Sequence, residues 1–133
     1  MKQAARHKPS EPPLLEGLSA VRIFVSDLDR ALDFYASVLN LKVSGTDKES
    51  WLLFKLTNAL LLVEVVDADS VEFKDLVGRF TGMSFDTADI EQAHKRLLSL
   101  GVRFEGPPER QDWGGSLAHF QDPDGNILTL VGN

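Results

Sequence analysis

The spacing of apolar residues changes partway through the stretch VRIFVSDLDRALDFYASVLNL, which begins at Val21. Its start reads as an apolar-alternating strand that includes Arg22. Asp27 follows as a candidate N-cap, because its carboxylate can accept hydrogen bonds from the unpaired N–H groups that begin a helix. The residues after Asp27 repeat at helical spacing and predict one apolar helix face. That face consists of Leu28, Ala31, Leu32, Tyr35, Val38 and Leu39.

The same order of elements recurs 62 residues later, in MSFDTADIEQAHKRLLSLGV. Asp89 corresponds to Asp27, Leu97 corresponds to Tyr35, and Gly101 is placed to end the second helix. Three strand-like runs follow each helix. They are LKVSG, SWLLFKL and ALLLVEVV in the first half, and VRFE, SLAHFQ and NILTLV in the second. The sequence therefore predicts an α/β (α+β) fold built as a tandem duplication of a βαβββ module.

Domain organisation follows from this duplication. The two modules are expected at about residues 18–67 and 80–131, inside a single domain that covers 18–133. Residues 1–17 form a polar, proline-containing N-terminal arm, and DADSVEFKDLVGRF connects the two copies. The alternative is a chance resemblance between two αβ units in a four-layer fold. It requires the strand, cap, helix face and later strands to agree by coincidence.

The chain closes on a well-specified hairpin, FQDPDGNILTLV, at positions 120–131. The segment Asp122-Pro123-Asp124-Gly125 is a turn, because proline fixes φ, aspartate binds nearby backbone and glycine adopts positive φ. This turn sets the alternation of the next strand and places Thr129 on one face with Ile127 and Val131. Thr129 is neither apolar nor charged, so its place in the middle of the strand needs an explanation.

Composition narrows the class of protein. With 133 residues, of which 43% are hydrophobic, the chain can form one compact domain with a substantial core. The net charge of −6 argues against nucleic-acid partners and anionic membrane surfaces, which both need clustered Lys and Arg. The sequence has no Cys, and its start lacks the apolar core of a signal peptide. We therefore expect a cytoplasmic protein whose partner is a small molecule.

Three stretches together resemble the vicinal oxygen chelate superfamily, which includes glyoxalase I, extradiol dioxygenases, fosfomycin-resistance enzymes and bleomycin-resistance proteins. They are VSDLDRALDFYASVLNL, its weaker second copy DTADIEQAHKRLLSLGV, and the ending WGGSLAHFQDPDGNILTLV. The resemblance covers about Leu18 to Val131. It implies a curled, cup-shaped mixed sheet, with a sheet from each module, helices outside and ligands on the concave face. It does not choose an activity, because the superfamily supports several chemistries and also binding alone.

The resemblance also implies where a metal would bind, since the family's metalloenzymes carry ligands, usually His and Glu, on the first and last strands of each module. The matching positions are Ala20, Gly82, Leu62 and Thr129. Only Thr129 offers a side-chain oxygen, and it is a weak ligand. A shift of two residues would bring Glu64 to the Leu62 position, which still supplies one carboxylate. We therefore predict no metal and no cofactor. Alternatively, Thr129 is simply a β-branched residue suited to a strand.

The family's strand orientation, combined with alternation, predicts the side chains that line the cup. On SWLLFKL, the set Leu52, Phe54 and Leu56 suits the helix side. In the fosfomycin-resistance branch, the position of His119 carries a substrate-contacting Tyr. A mixed polar and aromatic lining is usual for small-molecule sites. The predicted ligand-binding residues are Arg22, Phe24, Trp51, Lys55, Glu64, Asp86, Trp113, His119 and Thr129.

Several of these residues have a purely structural alternative. Arg22 and Glu64 can form an ion pair across the sheet. Lys55 and Asp86 can be solvated near strand ends. His119 can be a half-buried histidine whose hydrogen bonds are satisfied, because a lone histidine without a placed partner shows no general-base geometry. Trp113 is different, because a large aromatic residue beside two glycines has little packing reason to be there. We expect a lid or ligand-stacking role for it.

Two classes of function remain. The first is a metal-free binding protein, similar to the bleomycin-resistance branch, that holds a planar or amphipathic molecule and uses Arg22 for an anionic group. The second is a lyase, isomerase or dioxygenase that uses Glu64, Asp86 or His119 in acid–base chemistry, or a metal in an unexpected site. The missing ligand set favours binding. Because many members of the family pair or swap modules, a homodimer is also expected.

Overall fold

A computed structural model describes residues 10–133 and contains, within them, two mixed sheets and three short helices. The strands are β1 (Val21–Val25), β2 (Val43–Thr46), β3 (Trp51–Lys55), β4 (Leu60–Val65), β5 (Phe80–Thr87), β6 (Arg103–Phe104), β7 (Glu109–Arg110), β8 (Ser116–Gln121) and β9 (Ile127–Gly132). The helices are α1 (Leu28–Leu32), which a π-helical turn (Asp33–Val38) continues, α2 (Phe73–Leu76) and α3 (Ile90–Ser99). Residues 1–9 of the expected arm lie outside the described residues, and residues 10–17 are exposed.

The predicted duplication is confirmed by the order of the elements. The first sheet has the order β1-β4-β3-β2 and the second has the order β5-β9-β8-β6, with the short β7 added beside β8. In each sheet the first and last long strands of the module, β1 with β4 and β5 with β9, pair in parallel. The other strand pairs are antiparallel. The connection between the modules contains α2, a single turn.

The two predicted helix caps are also confirmed. An oxygen of Asp27 accepts a hydrogen bond from the backbone N–H of Arg30 at 2.9 Å. An oxygen of Asp89 accepts one from Gln92 at 3.1 Å. Each carboxylate therefore satisfies one of the free N–H groups at a helix start. Within residues 10–133, no helix combines the length and the apolar composition needed to cross a bilayer.

The predicted apolar face of the first helix is partly wrong. Leu32, assigned to that face, is 39% exposed, whereas Phe34, left off it, is only 7% exposed. The reason is the π-helical turn, in which the N–H of Leu39 bonds to the carbonyl of Phe34, five residues earlier. The wider turn directs both Phe34 and Tyr35 into the core, where the pattern of an ordinary α-helix predicted Tyr35 alone.

The helices lie in a layer between the two sheets. The ring of Tyr35 packs 6.0 Å from Phe54 of β3, and the ring of its neighbour Phe34 packs 6.5 Å from Phe120 of β8. Buried residues from both sheets therefore belong to one core. Within residues 10–133 the two sheets share no strand pairing. Their other faces, which we call the outer faces, point away from this core.

A seam of polar contacts closes one side of this layer. The hydroxyl of Tyr35 donates to Asp122 at 2.8 Å, and the side-chain amide of Asn126 donates to the carbonyl of Phe24 at 2.8 Å. Asp122 and Asn126 are 1% and 0% exposed. Burial raises the pKa of Asp122, while hydrogen bonds from Asn126 and Tyr35 oppose that shift. The turn of the last hairpin thus locks the second module onto the first.

Candidate functional site

The outer face of the first sheet carries what we call the Arg22 cluster: Arg22, Phe24, Glu64 and Trp51. In strand register, Glu64 lies beside Phe24 on one side and beside Trp51 on the other. The guanidinium of Arg22 donates through Nε to one oxygen of Glu64 at 2.6 Å and through Nη2 to the other at 3.1 Å. The same guanidinium lies 5.3 Å from the centre of the Phe24 ring. Four of the predicted ligand-binding residues are therefore neighbours.

The Arg22–Glu64 pair is accessible to solvent, since the two side chains are 57% and 25% exposed. The hydrogen bond and the charge of Glu64 raise the pKa of Arg22. An ion pair in such a position adds little to stability, because water competes for both charges. Within residues 10–133, Nη1 of Arg22 has no hydrogen-bond partner. The guanidinium is thus held in place and keeps donors for another molecule.

Trp51 is positioned by the loop before β3 and by the neighbouring strand. Its ring lies over Gly45, where a side-chain carbon would stand 3.6 Å from the ring. Asp47 accepts hydrogen bonds from the hydroxyl of Ser50 and from backbone N–H groups up to Trp51, and these bonds lower the pKa of Asp47. A small residue and a capped loop therefore hold the indole on the outer face.

The outer face of the second sheet carries what we call the His119 cluster: His119, Thr129 and Phe80. Oγ1 of Thr129 lies 2.8 Å from Nδ1 of His119, its partner in strand register. The ring of Phe80 meets the imidazole edge to face at 5.7 Å. Thr129 is 3% exposed, so its hydroxyl is shielded from solvent and bonds to the histidine instead. This contact explains a hydroxyl in mid-strand, and it leaves Nε2 of His119 without a partner within residues 10–133.

The remaining predicted residues lie apart from these clusters. Lys55 and Asp86 line a crevice between the two modules. Trp113 is 61% exposed, and its ring packs over Gly115 of its own loop, where an added side-chain carbon would overlap it. Within residues 10–133, no hydrogen bond or ion pair joins the Arg22 cluster to the His119 cluster. The predicted residues therefore fall into two separate clusters, one on each sheet, with Lys55, Asp86 and Trp113 outside them.

The four family positions for metal ligands do not form a metal site. Ala20 precedes β1, Leu62 lies beside Arg22, and Gly82 sits in an irregular part of β5 with φ of 76°. Thr129 is bonded to His119. Across residues 10–133, no three His, Asp or Glu side chains are grouped so that they could bind an ion. The residues at these positions therefore do not fit a divalent ion, and the metal-free interpretation stays a prediction.

Comparison with known proteins places this geometry in context. The sequence profile of the Glyoxalase/Bleomycin resistance protein/Dioxygenase superfamily matches residues 17–130. The chain is 27% identical over 124 residues to the uncharacterised protein YraH of Bacillus subtilis (strain 168), which covers 85% of this chain and 95% of that protein. A shorter match of 52 residues is 33% identical to a bleomycin resistance protein of Klebsiella pneumoniae. It covers 34% of this chain and 41% of that protein.

Solved structures show the same fold. A member of the same superfamily from Sphaerobacter thermophilus DSM 20745 superposes with a TM-score of 0.74 at 30% identity, covering 91% of this chain and 100% of that one. A lactoylglutathione lyase from Agrobacterium tumefaciens superposes with a TM-score of 0.68 at 21% identity, covering 92% of this chain and 96% of that one. At that lower identity the likeness concerns the fold alone.

Proposed function

Because the chain belongs to the glyoxalase/bleomycin resistance protein/dioxygenase superfamily, we propose that it binds a small organic molecule on its outer sheet faces without a metal ion. The ligand is a planar or amphipathic molecule with an anionic group. Arg22 binds that group, and the aromatic rings of Phe24 and Trp51 contact its apolar part. The proposal rests on the residues that replace the family's metal ligands and on the arrangement of the Arg22 cluster.

The observation that carries the proposal is the side-on pairing of Arg22 with Glu64. A pair made through Nε and Nη2 fixes the plane of the guanidinium and leaves Nη1 directed at no other side chain within residues 10–133. Phe24 supports the guanidinium from below. A held, planar donor costs less conformational entropy on binding than a free arginine does. Glu64 therefore acts as the residue that orients the anchor.

A thermal-shift screen of small organic carboxylates and phosphonates tests this proposal. A compound that binds raises the melting temperature of the wild-type protein. We expect Arg22→Met to lower the affinity for that compound by about tenfold or more, since it removes a charged hydrogen bond. Arg110→Met is the matched control, because Arg110 is an exposed strand residue that pairs with Ser116, away from the His119 cluster. Ligand stabilisation that survives Arg22→Met would eliminate Arg22 as the anchor.

A second candidate function rests on the His119 cluster. Thr129 fixes Nδ1 of His119, so Nε2 is available as a proton acceptor or donor on the outer face. This arrangement favours a lyase or isomerase of the superfamily as the alternative, since both reactions need proton transfer. Prolonged incubation of the screened compound with the protein, followed by mass spectrometry of the compound, distinguishes the two. If the compound is converted by the wild type but only bound by His119→Gln, the enzymatic function is supported.

The proposal includes a cytoplasmic homodimer. Each outer face is open in a single chain: the first carries the half-buried rings of Phe24 and Trp51, and the second carries Phe80, which is 57% exposed. Apolar surface of this kind is covered when two chains associate. A face from each of two chains would enclose a ligand as a cup, with an Arg22 cluster on one side and a His119 cluster on the other.

A further inference from the structure

The crevice lined by Lys55 and Asp86, which we call the seam crevice, lies between the two modules. It has a volume of about 560 Å³ and is bounded by the segment after the first helix, the turn between β3 and β4, the edge strand β5 and α3. Its floor includes Leu97, Phe120 and Leu130, which are 7%, 1% and 6% exposed. A volume of this size is typical of small-molecule sites.

The crevice exists because the two copies of the module have diverged. In the first copy, the hydroxyl of Tyr35 reaches the β8–β9 turn and bonds to Asp122, which closes the seam on that side. In the second copy, Leu97 stands where Tyr35 stands in the first, and it has no hydroxyl. The turn it faces, residues 56–59, has no carboxylate. Within residues 10–133, no side-chain hydrogen bond crosses this second seam at residues 56–59.

The rim of the crevice is cationic in a chain of net charge −6. Lys42, Lys55 and Arg96 line it together with one acid, Asp86, so three positive charges and one negative charge leave a local excess of two. All three cations are exposed, and within residues 10–133 none of them forms an ion pair. An apolar floor below a positive rim selects a molecule with an apolar tail and an anionic head.

We propose that the seam crevice binds an amphipathic carboxylate, with its tail against Leu97 and Phe120 and its head at Arg96 and the two lysines. This site is separate from the outer faces, because its floor belongs to the core side of the second sheet and to α3. Its occupancy would join the β3–β4 turn of the first module to α3 of the second, two elements that no side-chain hydrogen bond connects within residues 10–133.

Titration of the isotope-labelled protein with octanoate, followed by amide chemical shifts, tests the proposal. We expect the shifts to concentrate at Leu41, Phe85 and Leu97, and we expect octanamide, which lacks the charge, to bind at least about tenfold more weakly. Octanoate shifts confined to the outer faces, or equal affinity for the two compounds, would overturn the proposal.

Two adjacent residues of α3 supply a matched pair of variants. Arg96 lines the crevice, whereas Lys95 does not, and both are exposed. We expect Arg96→Glu to weaken octanoate binding by about tenfold and Lys95→Glu to leave it within about twofold, although both change the net charge equally. Ala93→Trp, which fills the crevice from α3, should also abolish binding. Arg22→Met should leave octanoate binding at the crevice unchanged, which separates this site from the outer-face proposal.

Discussion

On each outer face, a polar side chain is oriented by hydrogen bonding with a second polar side chain. Glu64 holds Arg22 through two hydrogen bonds, and Thr129 holds His119 through one. In both pairs the held residue keeps a nitrogen without a partner within residues 10–133. This arrangement is typical of binding sites, where a fixed first residue is supported by a second.

Glu64→Gln is expected to leave the stability of the unliganded protein nearly unchanged, because the Arg22–Glu64 pair is exposed and water replaces the lost contact. The variant should bind the compound found by the thermal-shift screen with lower affinity, since Arg22 loses its fixed orientation. Urea unfolding and thermal shift measure the two effects separately. A large loss of stability in both Glu64→Gln and Arg22→Met would instead identify a structural ion pair.

Thr129→Val separates the two explanations of the hydroxyl in β9. If Thr129 serves only as a β-branched strand residue, valine should be neutral or stabilising, since it suits strands at least as well. If the hydroxyl holds His119, the variant should lose about 1 kcal/mol of unfolding free energy, because Nδ1 loses its partner. A double-mutant cycle with His119→Phe measures the coupling, and a coupling energy of zero would refute the second explanation.

The faces of the strands were predictable because alternation has a period of two. Leu52 and Phe54, assigned to the helix side, are 2% and 0% exposed, and Arg22 and Glu64 share the opposite face. The contact between Thr129 and His119 was not predicted, because it depends on the register of two strands across a turn. The available signal was the number of residues that separates Asp122 from His119 on one strand and from Thr129 on the other, since the turn fixes how the two strands pair.

At the scale of elements, the seam around Asp122 joins the last hairpin to the first helix and the first strand. The sequence predicted the turn from its Pro and Gly but gave no sign that its aspartate is buried against Tyr35. The π-helical turn that aims Phe34 and Tyr35 inward was also beyond prediction, since residue spacing alone assumes an ordinary α-helix. The burial of Asp122 depends on a contact with Tyr35, a residue far from it in the chain.

The buried carboxyl of Asp122 makes stability depend on pH in a defined direction. Burial raises its pKa above the ordinary value of 3.8 in the folded protein. A raised folded-state pKa contributes stability that is complete below the unfolded-state pKa and is lost as the pH rises through the folded value. We expect the unfolding free energy of the wild type, minus that of Asp122→Asn, to decrease as the pH rises from about 4.

Urea unfolding of both proteins across this pH range measures that difference. The asparagine in Asp122→Asn has the shape of the aspartate but does not titrate. Ionisable groups that the two proteins share contribute to both unfolding free energies, so their contributions cancel in the difference. A difference that increases with pH would show that the hydrogen bonds from Tyr35 and Asn126 outweigh burial.

At the scale of the whole molecule, the helical layer decides which sheet faces remain open. Because Tyr35 contacts β3 and Phe34 contacts β8, each sheet has its inner face against this layer and its outer face on the opposite side. The sequence predicted one set of ligand-binding residues, yet the fold distributes them among two sheets, a crevice and the loop of Trp113. Alternation assigns a residue to a face, but it carries no information on how two sheets pack.

A homodimer is the expected assembly, because it brings an open face of each chain against another. Light scattering at micromolar concentration should give twice the mass of the chain. Phe80→Asp, which places a charge on the exposed aromatic group of the second sheet, should shift the population towards the monomer. A strictly monomeric wild-type protein would contradict the assembly and leave the ligand bound to a single open face.

Metal-free binding is the central claim, and calorimetric titration of the screened compound into chelator-treated protein tests it most directly. The residues at the four family positions, Ala20, Gly82, Leu62 and Thr129, predict that elemental analysis finds no stoichiometric Zn, Mn, Fe or Ni before or after treatment. We predict the same affinity before chelation, after chelation and after each metal is restored. Binding that is lost on chelation and regained with about one ion per chain would contradict the account.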